Sequence, residues 1–106
     1  MEDIDIEEAF AGLGPVSIRR MFGGKGVYHQ NLIVAVVYQG ELLLKADAVS
    51  APLFESAGAR PWEYESKSGK AARMPYWSIP DDAVDDPEVL AQWTRLAFEA
   101  ALRAGK

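Results

Sequence analysis

The sequence has no cysteine, one histidine and no apolar run near the ~20 residues that span a bilayer. Without cysteine there are no disulfides, zinc ribbons, thiol catalysis or thiol redox sensing. A single histidine, His29, does not make a dedicated transition-metal site, and its place beside Gln30-Asn31 fits a surface turn. The chain opens Met1-Glu2-Asp3-Ile4-Asp5, with neither the positive charge nor the apolar stretch of a secretory leader. A cytoplasmic location with no membrane association is therefore expected.

Positive charge is scarce as well. The formal net charge is -5, unevenly spread. Residues 1–18 hold five acids and no bases, residues 19–73 eight bases and five acids, and residues 74–106 three bases and six acids. A mildly basic middle is flanked by acidic ends. Affinity for nucleic acid comes from neutralising phosphates, so the chain as a whole repels that ligand.

What is present suits one packed domain over residues 1–106, with a hydrophobic fraction of 49%. Residues 3–13 read as a short helix with Ile6, Phe10 and Leu13 on one face, ended by Gly12 and Gly14-Pro15. Val16 to Phe22 alternates as a strand. Gly23, Gly24 and Gly26 interrupt it where a bend or bulge is needed, and Val27-Tyr28-His29 resumes extended structure. Leu32 to Tyr38 is apolar at both parities, which predicts an interior strand. Gln30-Asn31 and Gln39-Gly40 are two-residue turns, which join antiparallel strands only, and Glu41 to Lys45 is the return strand.

A helix capped by Asp47 or Ser50 runs to about Ala57, and Gly58 ends it. Trp62 to Lys67 then alternates as a strand with Trp62 and Tyr64 inward. In the strand from Ala71 to Ile79, Pro75 predicts an edge position or a bulge. Pro80 to Asp86 reads as an acidic connector. Asp86-Pro87 starts a final helix to about Ala104, with Val89, Trp93, Leu96, Ala97 and Ala100 on one face and Trp93 as its anchor. The order is helix, three or four strands, helix, two strands, helix. This predicts an α+β fold, a largely antiparallel sheet of about five to six strands with helices packed on it.

Few residues suggest chemistry. Gly23-Gly24-Lys25-Gly26 lacks the spacing and the hydroxyl of a phosphate-binding loop. No serine lies in a nucleophile-elbow pattern, and the Asp81-Asp82 and Asp85-Asp86 pairs lack calcium-loop spacing. No catalytic residue, cofactor or metal ligand is assigned. Basic residues interleaved with Phe22, Tyr28, Tyr76 and Trp77 are the one constellation left. The candidate interaction surface is Arg19, Arg20, Lys25, Tyr28, Lys67, Lys70 and Arg73. Arg20 shares a parity with Ile18 and Phe22, so burial against an acid is a further expectation for it.

Several short motifs occur in one order: Arg19-Arg20-Met21-Phe22-Gly23-Gly24 with Gly26-Val27-Tyr28, Leu43-Leu44-Lys45, Pro61-Trp62-Glu63-Tyr64, and Met74 through Pro80. Asp86-Pro87-Glu88 and the Trp93 helix follow. Together, over roughly residues 12–102, they resemble the TfoX N-terminal domain family. The resemblance implies a small α+β fold likened to dimeric secretion chaperones. It also implies kinship with a regulator of competence for DNA uptake. That regulator carries a second, C-terminal domain, and a stand-alone N-terminal domain is expected here. The family brings no catalytic residues. A non-enzymatic regulatory or adaptor domain follows, acting through contact with a protein partner or a second copy. The alternative is a nucleic-acid-binding accessory that uses the basic strand and turn residues.

Overall fold

The computed structural model describes residues 1–21, 23–65 and 68–105. Helix α1 (Asp3–Ala9) is followed by β1 (Ser17–Met21), β2 (Gly24–His29), β3 (Leu32–Tyr38) and β4 (Glu41–Lys45). Then come α2 (Ala51–Ser56), β5 (Pro61–Glu65), β6 (Ala71–Ser78), α3 (Asp81–Val84) and α4 (Pro87–Ala104). The six strands form one antiparallel sheet in the order β1-β2-β3-β4-β6-β5. The α+β expectation holds.

The hairpins form where the turn chemistry puts them. Gln30 and Asn31 take φ 51° and 67°, and Gln39 and Gly40 take 51° and 79°. Paired positive φ matches the twist of two antiparallel strands, so each connection needs only two residues. The sheet has two faces of different character. On one, Ile6 and Phe10 of the α1 region, Phe54 of α2 and Ala97 and Ala101 of α4 pack with Val27, Val34, Ala35, Val37, Leu42, Leu44 and Trp77. On the other, Val36, Leu43 and Tyr76 cluster with Met21, Ile33, Tyr38, Trp62 and Met74, all of them strand residues.

Both parities of β3 are apolar because the strand bulges. Val27 pairs with Ala35 but Tyr28 pairs with Ile33, which leaves Val34 as an extra residue. Val34 and Ala35 can then both join the helix-side core, and Ile33 drops to the opposite face. β3 is interior, as expected, but the helices of the described residues cover only one of its faces.

Several expectations are corrected. Pro75 does not mark an edge, because β6 lies between β4 and β5. The β5–β6 register instead shifts between Pro61 and Glu63, so the bulge alternative holds. Trp62 and Tyr64 point to the helix-free face, and Tyr64 is 43% exposed. The acidic connector contains the one-turn α3, and α1 ends at Ala9. His29 is buried, with Nδ1 donating to the Pro15 carbonyl at 2.7 Å and its ring edge-on to Phe98. Its burial follows from the strand: it is the last residue of β2, opposite Leu32 on the helix side. On α4 the fully buried residues are Thr94, Ala97, Ala100 and Ala101. Trp93 is only partly buried, its ring tilted against Phe54 of α2 at 4.7 Å. Small residues let the helix axis approach the sheet, so the bulky ring sits at its flank. Expectations for Phe22, Ser66, Lys67 and Lys106 lie outside the described residues.

Caps and one long-range ion pair hold the helices in place. Asp86 accepts hydrogen bonds from the Glu88 and Val89 amides, as its sequence context predicts. Asp47 accepts from the Val49 and Ser50 amides ahead of α2 and also from Arg103 Nη2 on α4, at 2.9 Å. The Arg103 guanidinium holds the Asp47 carboxyl at about 2, below its ordinary 3.8.

These contacts can be probed by substitution. A Cβ on Gly24 would lie 2.1 Å from the Val37 carbonyl oxygen, whereas one on Gly23 meets nothing within 4 Å. Gly24→Ala should therefore cost roughly 1–3 kcal/mol or more in denaturant unfolding. Gly23→Ala should cost only about 1 kcal/mol, for its φ of +77°. Asp47→Ala should cost about 1–2 kcal/mol at neutral pH, from a lost cap and a screened ion pair. Because the folded pKa of Asp47 is depressed, its contribution is present above pH 4 and is lost as pH falls toward 2. The variant's unfolding curves should lack that part of the acid limb.

Candidate functional site

The helix-free face is concave. Tyr38 on β3 and Trp62 on β5 lie three strands apart in the sheet order, about 14 Å on a flat sheet. Their ring centroids nevertheless meet at 5.0 Å. Twist curls the sheet until Met21 of one edge strand and Tyr64 of the other line the same hollow of about 360 Å³. Gly24, Lys25, Val36, Val37, Tyr38, Trp62 and Met74 complete its wall. Tyr64 stands edge-on to both Tyr38 and Trp62, at 6.4 and 6.2 Å, and Trp62 edge-on to Tyr76 at 6.2 Å. Gly26 leaves room for this layer: a Cβ there would lie 3.1 Å from both the Met21 sulfur and the Tyr28 ring, which close over the bare backbone.

Beside the hollow a row of cations and phenols crosses the sheet. The Arg19 guanidinium lies 4.5 Å over the Tyr28 ring, and the Lys45 ammonium 5.6 Å from the Tyr76 ring. Burial and the nearby Tyr28 push the Tyr76 hydroxyl pKa up. Burial pushes Lys45 down, against the pull of Asp47. Asp47 is itself held by Arg103. The ion pairs among the described residues are Lys25–Asp3, Arg60–Glu41 and Arg103–Asp47. Among those residues, Arg19 and Lys45 therefore share an apolar face with no free carboxylate: Glu41, at its margin opposite Tyr38, is 2.7 Å from Arg60.

The residues singled out from the sequence are not one patch. Arg19 and Tyr28 come together on the concave face. Arg20 is exposed on the edge strand with the opposite parity, so it is not buried against an acid. Lys25 is tied to Asp3 at 2.7 Å and to the Met1 carbonyl at 3.1 Å. Lys70 is exposed ahead of β6, and Arg73 lies over Trp77 on the helix side. Lys67 falls outside the described residues. The residues that sequence reasoning missed are Lys45, Tyr38, Trp62, Tyr64, Met21 and Met74. The available signal was parity: Tyr38, Leu43 and Lys45 occupy one face of a hairpin whose turn fixes the register.

A sequence model of the TfoX N-terminal domain family matches residues 8–101. The chain belongs to that family. No curated protein matches the sequence. Within this TfoX-type domain no helix of the described residues is long and apolar enough to cross a membrane. The matched span includes the glycine-interrupted hairpin and Trp93.

A half-buried ammonium with no ion-pair partner among the described residues does not favour folding. Lys45→Met should leave stability unchanged or raise it, by under about 1 kcal/mol after solvent screening. Because the folded pKa of Lys45 is lowered, native stability should also rise with pH toward 10.5, and the variant should lack that rise. Urea titrations at several alkaline pH values check both statements.

Proposed function

We propose that the domain is a non-enzymatic regulatory module that works by binding another protein through its concave sheet face. The observation that carries this reading is a second apolar cluster built only from strand residues, with no helix of the described residues over it and Tyr64 at its rim. A helix-free apolar face with aromatic and methionine side chains at its centre has the composition of a contact surface. Among the described residues the hollow's wall offers no nucleophile beside a base, and its one amine, Lys25, is engaged by Asp3. Family membership supports a regulatory setting, since the resemblance is to a competence regulator.

A self-pair through this face would enclose four cations, Arg19 and Lys45 from each copy, with no free acid among the described residues between them. An unlike partner avoids that repulsion. The second reading, single-stranded nucleic acid, draws on one observation: Tyr28, Tyr38, Trp62, Tyr64 and Tyr76 lie on the sheet face and not in the helix-side core. The acidic total and the scatter of the other basic residues weigh against it.

A photo-crosslinking amino acid at Tyr64, expressed in the native host, should give discrete protein adducts. The same residue at Gln92, on the exposed side of α4, should give none. Failure to form adducts at Tyr64, or equal adducts at both sites, overturns the reading.

A further inference from the structure

We infer that the partner segment is acidic as well as apolar: a stretch of protein with an aromatic or aliphatic anchor for the hollow and carboxylates for Arg19 and Lys45. This rests on the protein-contact reading above and adds the chemistry of the partner. Complementarity carries the inference. The concave face has an apolar hollow of about 360 Å³ at one end and a row of two cations and two phenols at the other. A volume of that size holds one or two large apolar side chains, since small-ligand sites begin near 300 Å³.

Among the described residues neither cation has an acid to pair with on its own face. Each is held over a tyrosine ring, a contact that fixes its position but leaves its outward N–H groups free. The protein carries 16 acidic side chains against 11 Lys and Arg, yet no described acid matches these two. The acids cluster instead on α1, on α3 and at the start of α4. Arg19, exposed on the edge strand, offers a carboxylate one charge-assisted donor, and Lys45, half-buried, offers another in a partly desolvated setting. There such bonds are stronger than in open water.

The number of cations separates this partner from nucleic acid. Tracking a phosphate backbone takes a positively charged groove, and here two cations stand on a face of an acidic molecule. One or two carboxylates match two cations; a polyanion does not.

The test is fluorescence anisotropy with the full chain and three labelled probes. One is a short peptide of Asp, Glu, Leu and Phe, the second the same peptide with Asn and Gln for the acids, the third an oligothymidylate of similar length. The acidic peptide should bind about tenfold or more tighter than its amide counterpart, and added salt should shrink the gap. Lys45→Met and Arg19→Gln, each checked for folding by circular dichroism, should each remove several-fold of that preference. Arg95→Gln, on the exposed side of α4, should leave it unchanged.

Equal binding of the two peptides, no binding of the acidic one, a preference that survives both substitutions, or tighter binding of the oligonucleotide would each overturn the inference. If the Tyr64 cross-link to a host protein still forms in those cases, the contact reading stands and only the acidic chemistry falls. If the cross-link fails too, both fall.

Discussion

The extra residue in β3 sets the geometry that everything else uses. Val34 has no partner in β2, so the strand changes parity there, and Val34 and Ala35 both serve the helix-side core. A strand with strict alternation would have had to choose between its faces. With the bulge, seven residues supply Leu32, Val34, Ala35 and Val37 to one side and Ile33, Val36 and Tyr38 to the other. Bulges also increase local twist. That twist helps bring the far strand, β5, over the face that the helices leave bare.

The two faces are closed by different means. On the helix side, small residues bring backbones close: Ala97, Ala100 and Ala101 of α4 are buried, and a Cβ on Gly12 would fall 2.4 Å from the Ala91 Cβ. Phe10 and Phe54 fill what remains. On the other side the described residues form no second layer, so the sheet covers itself. Tyr38, Trp62 and Met74 lie over Val36 and Leu43, which are only 7% and 4% exposed. The covering is incomplete, because the edge strands β1 and β5 do not pair and the curl stops short of closure, and the hollow is the remaining gap.

This division also explains what could be read from the sequence. The hairpin turns, the α2 terminus at Gly58 and the Asp86-Pro87 start are local signals, and each decides its own backbone. Which face of the sheet the helices take is not local. Trp62 and Tyr64 alternate with acids in any case, and alternation shows that they share a side without saying which side. His29 follows the same logic: its turn neighbours suggested exposure, but strand parity sent it inward to Pro15 and Phe98. The basic residues were grouped by position along the chain, and pairing then spread Arg19, Arg20 and Arg73 over two faces and an edge.

Lys45 shows the same separation in energetic form. On a strand where Leu42, Leu43 and Leu44 are buried, a half-buried ammonium is poorly solvated, and its pKa falls accordingly. A methionine there would satisfy the packing at least as well. Nothing among the described residues uses the charge: Asp47, whose field reaches it, is engaged by Arg103, and the Tyr76 ring gives it a surface to lie on without neutralising it. A group that weakens its own surroundings and has no such internal partner is best understood through what it meets from outside. Arg19, exposed on the edge strand, also lies over a tyrosine ring, that of Tyr28, and so adds a second cation to the face that holds the apolar hollow.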